Sequence, residues 1–131
     1  WSGSGRSYPM RHHEDMAQIA LMHWVRTMAP RYPMLELVYH TPNGGYRDPR
    51  TAAKFKALGV RAGIWDIYVP LPAPGLWVEM KAGKNRLTPD QAKWRDRLEP
   101  FGYRFEIAYD WPTAAWAIAE HIGIPEDERP K

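Results

Sequence analysis

The sequence contains no cysteine. That excludes disulfides and thiolate metal sites, and it is compatible with a reducing cytoplasm without requiring one. It also lacks any uncharged apolar run near the roughly 18 residues a membrane helix needs. No signal-peptide core precedes the folded part, so a soluble, cytoplasmic protein of a bacterial or phage-infected cell is the expectation. Internal repeats and low-complexity linkers are missing too, and at 131 residues the chain has room for one domain and little more. What is present is a composition 44% hydrophobic, enough for a packed core, with a formal charge of +3 that is unevenly spread. Lys81, Lys84, Arg86, Lys93, Arg95 and Arg97 crowd the middle of the chain, whereas Glu126, Asp127 and Glu128 sit near its end. A basic region of this kind favours polyanionic partners.

Residues 1–9 are small and polar and are set aside as a cloning remnant or a disordered N-terminus; the folded domain is expected over 10–124, and a flexible charged tail over 125–131. From His13 to Met28, Ala17, Leu21, Trp24, Val25 and Met28 recur at helical spacing, and Glu14 falls on the edge of that inward face. Met34 to His40 reads as a strand with Leu35, Leu37 and Tyr39 on one face. Thr41-Pro42-Asn43-Gly44-Gly45 is a turn, after which Asp48 caps a short helix that Gly59 closes. Ile64 to Val69 and Leu76 to Lys81 read as two strands joined by a proline-rich turn. Thr88-Pro89-Asp90-Gln91 is a capping box opening a helix that runs through Trp94 and Leu98. Tyr103, Phe105, Ile107 and Tyr109 alternate with Arg104, Glu106 and Ala108 as a half-buried strand, and Asp110 opens a last helix over Thr113 to Ile122. Trp24, Trp77, Trp94 and Trp116 fit apolar stripes, and Trp65 is assigned to the core. The order predicts an α/β domain with a mixed sheet, in which the Tyr103 strand lies parallel to the Glu79 strand across a right-handed helical crossover.

Side chains two apart on a strand share a face, so Glu79 and Lys81 project together. If the two central strands pair as a hairpin, Asp66 lies across from Glu79, which sets two carboxylates beside an ammonium group. Two hard oxygen donors next to a lysine suit a magnesium ion and an activated water. Adjacent histidines such as His12 and His13 do not face each other on a helix and are given no ligand role.

With these residues in order, the sequence resembles the PD-(D/E)XK nuclease superfamily and, within it, the VRR-NUC family. The resemblance rests on Glu14, on Gly63 and Asp66 in GIWD, on Glu79-Met80-Lys81 as an E-x-K element, on Leu87 to Gln91 as L-[ST]-x-x-Q, and on the Asn43 turn with Arg47. It spans Glu14 to Tyr109, with Trp65 standing where the superfamily often has proline. It implies a restriction-endonuclease-like core, a central mixed sheet flanked by helices. Asp66, Glu79 and the main-chain carbonyl of Met80 would hold Mg2+, for which Mn2+ can substitute, and Glu14 would bind a second ion or a metal-bound water. Lys81 would orient or deprotonate the attacking water, and Gln91 would support the site from its helix. Arg47, Lys54, Arg61, Lys84, Arg86 and Lys93 are the candidates for contacting nucleic acid. The implied activity is a DNA endonuclease similar to phage Holliday-junction resolvases, acting as a homodimer on branched DNA, with no organic cofactor. Two other readings stand beside it: a non-catalytic nucleic-acid-binding module on the same fold, and a protein-interaction domain in which Glu79 and Lys81 are a surface ion pair.

Overall fold

A computed structural model of the chain describes residues 8–42 and 48–131. Helix α1 (Tyr8–Met28) leads through a 3₁₀ turn (Pro33–Leu37) into β1 (Tyr39–His40), followed by α2 (Pro49–Ala57) and the hairpin β2 (Ile67–Val69) and β3 (Leu76–Met80). Helix α3 (Pro89–Leu98) and a 3₁₀ turn (Glu99–Phe101) then cross to β4 (Arg104–Ala108), and α4 (Trp111–Ile122) and a final 3₁₀ turn (Glu126–Glu128) complete the chain. The four strands form one mixed sheet in sequence order, antiparallel from β1 to β3 and parallel between β3 and β4. The expected hairpin and crossover are both present.

Strand β3 explains the layering. All five of its residues are buried, because helices cover both faces of the sheet. Leu76, Val78 and Met80 join Leu21 and Val25 of α1 and Ala115 and Ile118 of α4 in one aliphatic core. Burying each large aliphatic side chain of this kind contributes about 1.5–3 kcal/mol. The opposite face is aromatic: Trp77 stacks on Tyr68 at 4.3 Å and meets Trp94 of α3 edge-on at 5.6 Å, while Trp65 meets Phe105 at 4.8 Å. Trp65, at 1% exposure, is core as expected, but on the α3 side rather than in the aliphatic core.

Several sequence expectations change. Helix α1 starts at Tyr8 rather than His13, so two of the residues set aside at the N-terminus are helical. The strand expected over Met34–His40 shrinks to two residues, because Pro33 starts a 3₁₀ turn in which Leu35 N–H donates to the Tyr32 carbonyl and Val38 N–H to Leu35. Leu37 and Tyr39 are consequently half exposed instead of sharing a buried face with Leu35. Strand β2 begins at Ile67, three residues late, although Thr41 N–H still donates to the Asp66 carbonyl at 2.7 Å. In β4 the face expected to be outward carries the fully buried Ala108, since α4 packs over it; Arg104 reaches Glu120 and His121 of that helix. Trp116 is 39% exposed rather than core, with the Arg129 guanidinium 5.0 Å over its ring. The tail expected to be loose folds back: Trp116 Nε1 donates to the Pro130 carbonyl, Arg129 Nε to Ile124, and Glu128 pairs with Arg31 at 2.7 Å. The Asn43 to Arg47 part of the predicted turn lies outside the described residues.

Gly63 fixes the site's entry loop to α3. Its φ is +85°, and a Cβ there would stand 2.5 Å from the Asp90 carbonyl carbon and oxygen. Gly59 has a similar φ of +100° but open space around it. Gly59→Ala should therefore cost about 1 kcal/mol from backbone strain alone. Gly63→Ala should cost clearly more, as urea denaturation midpoints of the two variants will show, and equal midpoints would refute the close-packing argument.

Candidate active site

The β2–β3 register pairs Ile67 with Val78, so its continuation sets Asp66 against Glu79 at the mouth of the hairpin. The two residues interlock through the main chain. Asp66 N–H donates to Glu79 Oε1 at 3.1 Å, and Met80 N–H donates to Asp66 Oδ2 at 3.0 Å. Lys81 follows immediately after β3, and its own N–H extends the parallel ladder to Ala108 at 2.9 Å. That anchors the backbone of the lysine as firmly as a strand residue.

Gln91 joins the parts. Thr88 caps α3, accepting from Gln91 N–H at 3.2 Å, and Gln91 Oε1 accepts in return from Thr88 N–H at 2.9 Å. The same oxygen accepts from Lys81 Nζ at 3.0 Å, and Gln91 Nε2 donates to Glu79 Oε2 at 2.8 Å. Lysine is only a donor, so the amide oxygen must face it and the amide nitrogen is left to face Glu79. Lys81 Nζ also stands 3.4 Å from Glu79 Oε2, with both side chains almost wholly buried. A buried ion pair of this kind adds little net stability, but removing one partner costs several kcal/mol, so it fixes geometry. Trp65 holds the helix in place from beneath, its Nε1 donating to the Gln91 carbonyl at 3.0 Å.

Burial and the Asp66 charge push the Glu79 carboxyl up to about 8, against the pull of Lys81, the Asp66 N–H and the Gln91 amide. Two carboxylates this close want a cation, and at neutral pH a proton partly fills that role. The donor set fits a hard divalent ion: two carboxylates and the neighbouring Met80 carbonyl, all oxygen. Among the described residues no three His, Cys, Asp or Glu side chains gather tightly enough to bind an ion on their own. A two-carboxylate site suits magnesium, which keeps several of its waters.

Asp66, Glu79, Lys81 and Gln91 are thus brought together. Glu14 is buried as its helical position implied, and its Oε2 accepts from Asn85 Nδ2 at 3.3 Å, which ties α1 to the loop after β3. Tyr109 Oη donates to the Asn85 carbonyl at 2.7 Å and holds the same loop from the end of β4. Neither Asn85 nor Tyr109 was singled out from sequence, because both act through contacts between residues far apart in the chain. Lys54, Arg61, Lys84, Arg86 and Lys93 are all exposed, on α2, α3 and the two loops that meet at this end of the sheet. Arg47 lies outside the described residues.

The α/β sheet thus presents interlocked carboxylates and a glutamine-braced lysine at one end. No family model matches the sequence, and no curated protein matches it either. A solved structure described as a VRR_NUC domain protein superimposes with a TM-score of 0.68 at 27% identity, covering 86% of this chain and 89% of that one. Over most of its length the chain is thus similar to a VRR-NUC domain protein and shares its fold.

Gln91→Ala removes hydrogen bonds to two buried charged groups and half of the capping box. Each such bond is worth about 1.5–3 kcal/mol. The variant should lose several kcal/mol in chemical denaturation, whereas a loss below about 1 kcal/mol would mean that the bridge is not structural. The Glu79 shift also has a pH signature. A carboxyl raised from 4.5 to about 8 keeps a proton in the folded state that the unfolded chain has lost. Its stabilising contribution is therefore complete below about pH 4.5 and declines as the pH rises through about 8. Without divalent ions, melting temperature should fall over this window more steeply in the native protein than in Glu79→Gln.

Proposed function

We propose that the protein is a magnesium-dependent endonuclease that hydrolyses phosphodiester bonds in DNA, acting as a homodimer on branched substrates such as four-way junctions. The observation that carries this reading is the hydrogen-bonded set in which the partly buried Asp66 interlocks with Glu79 and the buried Glu79, Lys81 and Gln91 are joined side chain to side chain. Asp66, Glu79 and the Met80 carbonyl are the groups to hold the ion, and manganese meets the same donors. When bound, the ion neutralises charge building on the phosphate and lowers the pKa of water from about 15.7 toward neutrality.

The chain's own residues do the rest. Asp66 is only partly buried, while Glu79 is almost wholly buried. The Lys81 ammonium donates to Gln91 Oε1 and stands 3.4 Å from Glu79 Oε2, and its role is to orient the attacking water. An ammonium with a reference pKa of about 10.4 is a poor base at neutral pH, so orientation of that water is its main task. Glu14, through Asn85, steadies the loop bearing Lys84 and Arg86, whose exposed charges meet the phosphate backbone together with Lys54, Arg61 and Lys93. Two sites related by a twofold axis would cut the two strands of a symmetric junction.

Purified protein with magnesium should nick a four-way junction faster than duplex, flap or splayed-arm DNA, and chelation should stop it. Asp66→Ala and Lys81→Ala should each lower the rate by at least about 10²–10³-fold while circular dichroism stays native. Undiminished cleavage by both variants would remove the proposed site.

A further inference from the structure

His40, the last residue of the edge strand β1, has no part in the site described above, yet its ring bonds to Asp66. Nδ1 stands 2.8 Å from the Asp66 main-chain carbonyl oxygen. A carbonyl only accepts, so Nδ1 carries the proton and donates it. The same oxygen accepts from Thr41 N–H at 2.7 Å and from Thr41 Oγ1 at 3.3 Å. Thr41 Oγ1 also donates to the Trp65 carbonyl.

These contacts hold Asp66 on both sides of its Cα. The peptide plane before it, which contains the Trp65 carbonyl and the Asp66 N–H, is fixed by Thr41 Oγ1 and by Glu79 Oε1. The plane after it, which contains the Asp66 carbonyl, is fixed by His40 and Thr41. The backbone has only two soft dihedrals per residue, so fixing both planes fixes the direction of the Cα–Cβ bond. That direction is not set by the strand itself, because Asp66 lies one residue before β2. β1 is two residues long, and its last pair sets His40 against Ile67. A carbonyl oxygen has two lone pairs, and beyond this short ladder the imidazole adds a side-chain donor to the main-chain one.

Building on the metal-dependent reading above, we propose that His40 is a positioning residue for the ion site: its Nδ1–H sets the peptide after Asp66 and thereby aims the carboxylate. The aim is read in the bond from Met80 N–H to Asp66 Oδ2 at 3.0 Å, which ties the carboxylate to β3. Hydrogen bonds behind the ion-binding groups orient them, and losing one weakens metal affinity or activity by about 10–100-fold. Asparagine can replace this donor and glutamine cannot. The asparagine nitrogen, like Nδ1, is bonded to Cγ, whereas glutamine carries its nitrogen one atom further out.

The test uses the full chain and the variants His40→Asn, His40→Gln and His40→Leu, all at an exposed position. Two readouts need no catalysis. In the metal-free protein the Met80 amide proton reports the bond to Asp66. Its resonance should move and its hydrogen exchange should quicken in His40→Leu and His40→Gln, and both should stay native in His40→Asn. Mn2+ binding, followed by the paramagnetic resonance of the free ion, should weaken about 10-fold in the leucine and glutamine variants and hold in the asparagine variant. Cleavage of a four-way junction by His40→Leu should need correspondingly more Mg2+ and reach the native plateau, a pattern that a general loss of folding does not give. A native Met80 amide and native Mn2+ affinity in His40→Leu would overturn the proposal, as would equal losses in the asparagine and leucine variants. The two readings separate cleanly. If the native protein cleaves while His40→Leu keeps the native amide and affinity, the role of His40 falls and the nuclease stands. If the amide and affinity change in His40→Leu and not in His40→Asn, yet no divalent ion supports cleavage by the native protein, the role of His40 stands and the nuclease reading falls.

Discussion

The constraint on which the site depends is the amide of Gln91, held in one orientation between Lys81 and Glu79. A lysine and a glutamate at nearly zero exposure would each be costly to bury alone, and their mutual attraction at 3.4 Å offsets only part of that cost. The amide supplies an acceptor to one and a donor to the other, and its orientation is in turn set by the capping box at the start of α3. Helix initiation and active-site geometry are therefore a single arrangement. The angle at which α3 leaves the β3 loop decides where the lysine points.

The sheet's two faces divide the labour. One is aliphatic and packs on α1 and α4, which provides stability without polar requirements. The other is aromatic and polar and meets α3, with Trp65 next to Asp66 in the chain and Trp77 on the same strand as Glu79. Trp65 occupies the position before Asp66. Its indole bonds to the Gln91 carbonyl and so braces the helix that positions the lysine.

Much of this was readable from the residues. The hairpin, the capping box and the juxtaposition of Asp66 with Glu79 follow from strand alternation, turn chemistry and a Thr-Pro-x-Gln start, all of which are local. Errors fell where tertiary packing overrides local pattern. Leu35, Leu37 and Tyr39 alternate like a strand, but Pro33 and the end of α1 coil the segment into a 3₁₀ turn. Arg104, Glu106 and Ala108 read as a solvent face, yet burial rises along them from the exposed Arg104 to the fully buried Ala108. The acidic end of the chain has a disordered composition, but Arg31 and Trp116, both far away in sequence, hold it down. The contacts of Asn85 and Tyr109 are illegible in sequence for the same reason, because such a polar residue gains meaning only from what the fold brings to it.

Asp66, Glu79, Lys81 and Gln91 lie within one hairpin and the first turn of the helix that follows. The reactive ensemble is thus nearly a self-contained cassette, assembled by contacts short along the polymer. Such local closure costs little loop entropy. Elements outside the cassette, such as α4 and the C-terminal fold-back, can be lengthened, recharged or replaced with limited effect on the chemistry. A compact set of this kind keeps its geometry while the elements around it vary.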